Sequence, residues 1–569
     1  MISARLYVLI FLFIAISTVA FGQAANAKLA ARSGVISGRI TMHGKGLPGI
    51  IVTLRSGGFG GQNPTQTAPQ AKTDADGKYR IADVPMGSWF VTPVAPVYTV
   101  PGASRITTTN DAVVITGGDT VDGIDFSLVR GGVITGKVTD TDGRPVIEQG
   151  ISIQNMDAAT QQGGRPNGPS GNFRTDDRGI YRIYGVPAGH YAVSVGSSQR
   201  FSAYSTIQGQ VAYKQTFHPD VTDAAQATVI EVVEGAEVST VDITVGRTVD
   251  EYSVTGRVID RDSGVPLPNV GFSLSILAGG GDRQRAMGLM DLPVVSDSNG
   301  QFRVDNVVPG KYMISVAPQN SDGMSGQSAA FDVINQDVKD VEVRAVRGAS
   351  LSGVVALDGN FDQSIQSELM QFQVQVFVQG NGGAASAAAS AQTVPLNADG
   401  SFQVTGLPAG SVRLSIAALD ASLQGAFKVL RIERDNVPQQ GGIAVNSGDQ
   451  VTGVKIVAAY ADGIVQGVVT FQNGTLPAGS RVFAALTPTG QTRGFVGGSN
   501  VDSRGHFLIQ NVPAGTYTLL VNVMPQGGRR GGGQQQPVTA QQNVIVTEGQ
   551  ISNASIVVDL GQNTPPAAP

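Results

Sequence analysis

The chain of 569 residues contains no cysteine and little charge. Without cysteine no disulfide can form, so each domain has to be stable through its own apolar core. Charged residues make up 15% of the chain, against about 25% in an ordinary soluble protein. The net charge of −5 is nearly neutral for this length. It offers no electrostatic case for a nucleic-acid partner, which calls for a clustered basic face.

Long apolar runs are also missing, except for one over residues 6–21, which one arginine precedes and small residues follow. This pattern predicts a secretory signal peptide over residues 1–27, with A-N-A at 25–27 or A-F-G at 20–22 as its cleavage motif. An uncleaved anchor is the alternative, but the run is short for a membrane span of ~20 residues. We therefore expect an exported protein without a transmembrane helix after cleavage. Its expected location is periplasmic, outer-membrane-associated or extracellular.

Glycine is abundant, at 74 residues, and part of it belongs to a repeated phrase. The stretch T-D-A-D-G-K-Y-R-I-A-D-V-P-M-G at 73–87 has four relatives, which begin near residues 175, 296, 396 and 501. In every copy a second glycine follows ten residues after the turn glycine, which indicates repetition of one folding unit. The turn glycines of copies 1 to 5 are Gly77, Gly179, Gly300, Gly400 and Gly505.

The repeated phrase predicts a tight turn followed by a strand. The second and fourth residues after the turn glycine are aromatic and β-branched, so their side chains share one face. Three residues before the glycine stands Asp74 or its counterpart, and Asx followed by Gly at this spacing is typical of a type I turn. Asp74 and Asp76 also look like the start of a calcium loop, but its twelfth position is Pro85 instead of glutamate. We favour the turn and expect no metal here.

Each copy also opens with an apolar strand interrupted by one glycine and closes with an alternating strand. We expect the opening glycines where another backbone passes closely. Copies recur every 100 to 121 residues, with turn signals about every 8–12 residues, which predicts all-β sandwiches instead of a solenoid. The short linkers predict a string of beads with limited hinge freedom. The predicted domains are 33–130, 131–249, 250–346, 347–459 (the most divergent) and 460–560, followed by a disordered Pro-rich tail at 561–569.

Five elements carry a family resemblance: V-x-G-x-V, an L-P before the second strand, D-x-x-G-x-[YF]-x-[IV], V-P-x-G-x-Y, and the closing strand. The copies resemble the carboxypeptidase regulatory-like domain of the transthyretin-like and carbohydrate-binding-like sandwich group. The resemblance spans nearly all of the chain after the signal peptide and implies five tandem seven-stranded β-sandwiches of prealbumin/Ig-like type. Such domains accompany peptidases, outer-membrane receptors and surface proteins. No peptidase is implied, because the four histidines lie at unrelated places.

Two sets of residues outside the repeated strands are candidates for binding. Gly-rich stretches near residues 56, 161, 278 and 379 all lie between the second strand and the hairpin, at an end of the sandwich where binding loops tend to sit. The other interpretation, a tolerated flexible insertion, is the one we favour for these stretches. Copy 2 also has a connection rich in aromatic residues, which could stack on sugars or pack onto their own sandwich, and we favour packing. These aromatics are Phe201, Tyr204, Tyr213 and Phe217.

The sequence offers no pattern for catalysis or for a cofactor. It has no cysteine nucleophile, and it shows no G-x-S-x-G elbow and no phosphate-binding loop. We expect a non-enzymatic structural or adhesive protein of the bacterial cell envelope, which acts as a spacer or as a weak multivalent binder. A polysaccharide-binding protein is one alternative. An accessory partner of an outer-membrane receptor or peptidase is another.

Overall fold

A computed structural model describes residues 33–56, 68–101, 112–157, 173–196, 213–278, 285–317, 323–359, 363–379, 390–420, 423–439, 441–477, 480–490, 495–524 and 538–563. Their regular structure is almost entirely β-strand, so the predicted all-β class is confirmed. A short α-helix spans Gln363–Leu369, and 3-10 turns span Ala224–Gln226 and Leu560–Asn563. No helix within the described ranges has the length and apolar character needed to cross a membrane. The predicted signal peptide lies outside these ranges.

The first sheet of each copy forms around its opening strand. This strand pairs antiparallel with the hairpin strand that follows the turn glycine, and parallel with the closing strand. The opening strands are Ser33–Met42, Gly132–Thr139, Tyr252–Asp260, Ala349–Leu357 and Gly463–Gln472. The hairpin strands are Lys78–Pro85, Ile180–Val186, Gln301–Val307, Ser401–Leu407 and His506–Val512. The closing strands are Phe126–Arg130, Ile243–Thr244, Val338–Arg347, Gln450–Tyr460 and Ile551–Asp559.

The second sheet forms around the exit strand, which begins at the second glycine of the repeated phrase. It pairs antiparallel with the second strand of the copy on one side and with an edge strand on the other. The second strands are Ile51–Ser56, Ile151–Asn155, Gly271–Ala278, Phe372–Gln379 and Arg481–Pro488. The exit strands are Gly87–Val94, Gly189–Val195, Gly310–Val316, Gly410–Ala418 and Gly515–Met524. The edge strands are Val113–Ile115, Ile230–Val232, Ala329–Val333, Ile443–Val445 and Val538–Val546.

Further strands extend these sheets differently from copy to copy. Four copies add a flank strand beside the second strand, whereas copy 2 has an isolated bridge between Gly150 and Arg174 at this place. The flank strands are Gln70–Lys72, Arg285–Val295, Ser390–Pro395 and Gly497–Asn500. The short accessory strands are Lys45–Gly46, Tyr98–Thr99, Thr120–Val121, Thr216–Phe217, Glu237–Val238, Met324–Gln327, Phe427–Arg434 and Val437–Pro438.

An apolar core lies between the two sheets of each copy. In copy 1 the hairpin strand alternates buried and exposed residues, with Tyr79 and Ile81 both buried, as their shared face predicts. The predicted sandwich is therefore confirmed as an architecture. The number of independent domains and their boundaries stay a prediction.

The opening glycines lie where the sequence predicts a close backbone approach. A β-carbon on Gly136 would overlap the carbonyl oxygen of Val241, which belongs to the segment entering the closing strand. Equivalent overlaps would occur in the other copies at Gly38, Gly256, Gly353 and Gly467. Only glycine therefore allows the opening strand and this segment to lie as close as they do.

The described residues divide into two compact units. One combines the first part of the chain, up to residue 131, with the part from residue 461 onward, and so contains copies 1 and 5. The other covers residues 132–460 and contains copies 2, 3 and 4. A simple string of beads is therefore wrong for the terminal copies, because copies 1 and 5 share one unit although they lie far apart in sequence.

Candidate functional site

The corner of each hairpin is the most strongly repeated polar site. In copy 1 the Asp74 Oδ1 atom accepts the backbone N–H groups of Asp76 and Lys78, at 3.0 and 2.8 Å. The Gly77 N–H donates to the Asp74 carbonyl oxygen at 3.0 Å, and Gly77 has a φ of 76°, which favours glycine. The predicted turn is thus confirmed, and the carboxylate of Asp74 serves to hold it.

The same corner is present in the other copies with one variation. In copies 2, 3 and 5 the Asp Oδ1 atom accepts two backbone N–H groups at 2.8 to 2.9 Å. In copy 4 the Asn397 amide donates to the Ser401 hydroxyl at 2.9 Å, and Asp399 accepts the Ser401 N–H at 3.0 Å. The described residues contain no cluster of three or more His, Cys, Asp or Glu side chains that could hold a metal ion. The corners are Asp74, Asp176, Asp297, Asn397 and Asp502.

Hydrogen bonding changes the acidity of one exposed corner. The N–H of Ile180 has the largest effect and lowers the pKa of the Asp176 carboxyl. Burial opposes this shift, and the N–H and guanidinium of Arg178 add to it. The charged carboxylate is the form that accepts these bonds, so the turn and the charge support each other. This is the behaviour of a structural turn residue.

A second repeated contact joins the start of the exit strand to the end of the hairpin strand. The residue twelve positions after the turn glycine is aromatic in four copies and donates to the carbonyl oxygen four residues before it. The bonds are 2.7 to 2.9 Å long and close the bend between the two strands. Sequence reasoning missed this role, although the recurring aromatics signalled it. The donors are Trp89, Tyr191, Tyr312 and Tyr517, and copy 4 has Val412 instead.

Two buried tyrosines also bond over the opening strand, at its glycine, to the segment before the closing strand. The Tyr79 hydroxyl donates to the Ile124 carbonyl at 2.6 Å, and the Tyr181 hydroxyl donates to the Val241 carbonyl at 2.5 Å. Burial raises the pKa of both phenols, with a smaller contribution from a nearby aspartate in each copy. Both tyrosines therefore stay neutral donors in the folded protein.

The aromatic residues that the sequence singled out in copy 2 are only partly described. Phe217 is 6% exposed and belongs to a strand that pairs with the exit strand of its own copy. Tyr213 packs against the core of copy 2, and burial raises the pKa of its phenol. Phe201 and Tyr204 lie outside the described residues, as does most of the four Gly-rich stretches. A binding role for the four aromatics stays a prediction, and it now depends mainly on Phe201 and Tyr204.

Comparison with known proteins gives only distant likenesses. No family model matches the chain, and no curated protein does. A solved structure of the Bacillus anthracis TIE protein is 12% identical over 55% of this chain and 51% of its own length, with a TM-score of 0.15. The chain thus spans about half of that protein.

Two solved pilins are similarly distant. A streptococcal ancillary pilin is 12% identical over 55% of this chain and 99% of its own, with a TM-score of 0.24. The minor pilin GBS52 of Streptococcus agalactiae is 13% identical over 38% of this chain and 96% of its own, with a TM-score of 0.22. At such scores none of these likenesses indicates what the chain does.

Proposed function

We propose that the protein is an exported, non-enzymatic structural or adhesive protein of the bacterial cell envelope. The proposal rests on one observation, which is what the repeated residues of the chain contact. The corner side chains, the aromatic donors and the opening glycines serve contacts inside their own sandwich, and Asp502 alone of the corners also contacts another copy. What the chain repeats is therefore a rigid framework, and this favours a spacer or a presenter of loops over an enzyme.

We further propose that one kind of connection lies at the same end of the sandwich in copies 1 to 4. The Gly-rich stretches of copies 1 to 4 all join the second strand to the flank or hairpin region. Several weak contacts carried by one chain raise the effective local concentration, and overall avidity then exceeds that of a single contact by about 10²- to 10⁴-fold. We propose that envelope binding follows this multivalent scheme.

We also propose that the copies are carboxypeptidase regulatory-like domains with the boundaries predicted above. The support is the order of the motifs along the chain. V-P-x-G-x-Y lies where the hairpin strand of the first sheet ends and the exit strand of the second sheet begins. Membership of this group implies a module and no particular chemistry.

Retention on a surface of graded density tests the proposal. A bacterial cell-envelope fraction is immobilised at several densities, and the dissociation of the full mature chain is followed on each surface. A multivalent binder dissociates at least about tenfold more slowly from the densest surface than from the sparsest. An unrelated exported β-sandwich protein is the control. Absence of binding, or one-to-one dissociation that is independent of density, would contradict the proposal.

A glycan array distinguishes the polysaccharide alternative. Specific retention of the chain by one purified polysaccharide, at a rate independent of density, would favour that alternative over a spacer. Binding to the envelope fraction that survives removal of its polysaccharides would favour a protein partner.

A further inference from the structure

The hairpin corner of copy 5 contacts the edge strand of copy 1 inside the unit that these copies share. The Asp502 Oδ2 atom accepts the backbone N–H of Val114 at 3.3 Å, and the Arg504 guanidinium donates to the Val114 carbonyl oxygen at 2.6 Å. Arg504 also donates to the same Asp502 oxygen at 2.8 and 3.0 Å. One ion pair thus binds both backbone groups of a residue in an edge strand.

An apolar contact lies beside this ion pair. Met86, Val114 and Leu508 form a buried cluster, with Ile464 packed against it. The Gln510 amide donates to the Met86 carbonyl oxygen at 3.2 Å. The contact therefore combines backbone recognition with burial of side chains from both copies, as a specific protein interface does.

The copy 5 side of this contact departs from the repeat. The third residue after the turn glycine points away from the core of its own copy, and it is polar and exposed in copies 1 to 4. In copy 5 the same position is Leu508, which is only 4% exposed. Its counterparts are Arg80, Arg182, Arg303 and Gln403.

The copy 1 side departs from the repeat at two positions. Met86 occupies the variable place of V-P-x-G, where the other copies have Ala188, Pro309, Ala409 and Ala514. Val114 is fully buried, whereas the residues at its register in copies 2, 3 and 4 are exposed. Those residues are Glu231, Asp332 and Ala444. Both sides thus carry apolar residues that the fold of a single copy does not need.

An edge strand with unpaired backbone groups is a template for pairing with another strand. A strand added to copy 1 would need the same Val114 N–H and carbonyl oxygen that Asp502 and Arg504 occupy. The two uses exclude each other, so the contact competes directly with strand addition.

We propose that Asp502, Arg504 and Leu508 of copy 5, with Met86 and Val114 of copy 1, form a clasp. In this clasp the copy 5 corner is the dedicated occupant of the copy 1 edge strand, and it withholds that edge from a second copy of the chain. Release of the clasp makes the edge available for pairing between chains.

The substitution Leu508→Arg tests the clasp in the full-length chain. It places in copy 5 the residue that copies 1, 2 and 3 carry at this position, so the sandwich itself tolerates it. We expect backbone amides 113–115 to exchange hydrogen roughly tenfold faster, and the chain to dimerise with rising concentration in sedimentation. Gln403→Arg introduces the same side chain at the same position of copy 4, and it leaves both readouts unchanged.

Met86→Ala tests the clasp from the opposite side without altering copy 5. It introduces the residue of copies 2, 4 and 5, and we expect the same faster exchange at 113–115. Unchanged exchange there in both variants, with amides 506–512 still protected, would overturn the clasp. Faster exchange without dimerisation would overturn the part of the proposal that concerns a second copy. If Leu508→Arg loosens its own hairpin, the result with Met86→Ala decides.

Discussion

Copies 2 and 5 carry the same turn, D-x-R-G, in different surroundings. In copy 2 the Asp176 and Arg178 side chains are 42% and 73% exposed, and their charged atoms lie 3.6 Å apart. In copy 5 the Asp502 side chain is 2% exposed, and Arg504 approaches it to 2.8 Å. The local turn bonds are the same in both copies. A turn that is structural in one copy is therefore also an interface in the other.

The difference follows from the side chain three residues after the turn glycine. Arg182 in copy 2 extends into solvent and pairs with Glu237 at 2.6 Å. Leu508 in copy 5 has no charge to keep hydrated, so copy 1 can cover it. Once the corner is covered, Asp502 needs partners for its charge, and the Arg504 guanidinium and backbone N–H groups supply them.

Substitution of the opening glycines should lower stability the most, and by the same amount in copies 2 and 5. Gly136→Ala and Gly467→Ala each push a β-carbon into a backbone carbonyl oxygen that cannot move aside. We expect each substitution to lower the free energy of unfolding of its own copy by about 4 kcal/mol, measured by hydrogen exchange in denaturant. A loss below about 1 kcal/mol in either copy would show that the strands can separate at little cost.

Removal of the corner carboxylate should destabilise copy 5 more than copy 2. Asp502→Ala abolishes two turn bonds and leaves Arg504 and the Val114 N–H without their buried partner, so we expect a loss of about 3 kcal/mol. Asp176→Ala abolishes the turn bonds alone, at a place open to water, and its effect should be clearly smaller. Hydrogen exchange of each hairpin measures both. Equal losses would contradict a second role for Asp502.

Removal of the guanidinium from the turn arginine should lower stability in copy 5 and leave copy 2 unchanged. Arg504→Ser removes the bond to the Val114 carbonyl and should cost about 2 kcal/mol in protection of the copy 1 edge strand. Arg178→Ser removes an exposed ion pair, and we expect no measurable change. Hydrogen exchange at residues 113–115 and 506–512 measures the effect of Arg504→Ser. Exchange at residues 180–186 measures the effect of Arg178→Ser. A comparable loss in copy 2 would place the effect in the turn itself.

A smaller effect is expected where copy 2 has tyrosine and copy 5 has phenylalanine. Tyr181→Phe introduces the residue type of Phe507 and removes one bond to a carbonyl, at a cost of about 1 kcal/mol.

The same tyrosine gives copy 2 a pH dependence. Folding raises the pKa of Tyr181 above its ordinary value of about 10, because burial disfavours the phenolate. The neutral phenol's contribution to stability is therefore complete below pH ~10 and is lost as the pH rises beyond that value. Unfolding of copy 2 followed against pH should show this loss in the native chain and less of it in Tyr181→Phe.

Local features of the fold are predictable from this sequence because each follows from short-range chemistry. Asp74 and Gly77 specify a turn by their spacing, and Gly136 marks a close backbone approach. The burial of Phe217 depends on a strand pairing that periodicity does not reveal.

The contact between copies 1 and 5 joins residues almost 400 positions apart, so no local pattern predicts it. Its trace in the sequence is the apolar character of Met86 and Leu508 where the repeat has small or polar residues. That trace becomes meaningful only when the copies are compared position by position.

The most direct measurement compares two backbone amides in the unmodified chain. Val114 and Glu231 hold the same register in the edge strands of copies 1 and 2, and Val114 alone is contacted by Asp502. We predict that the Val114 amide exchanges its hydrogen at least about tenfold more slowly than the Glu231 amide, after correction for their intrinsic rates. Equal protection of the two amides would contradict the clasp and with it the distinction between copies 2 and 5.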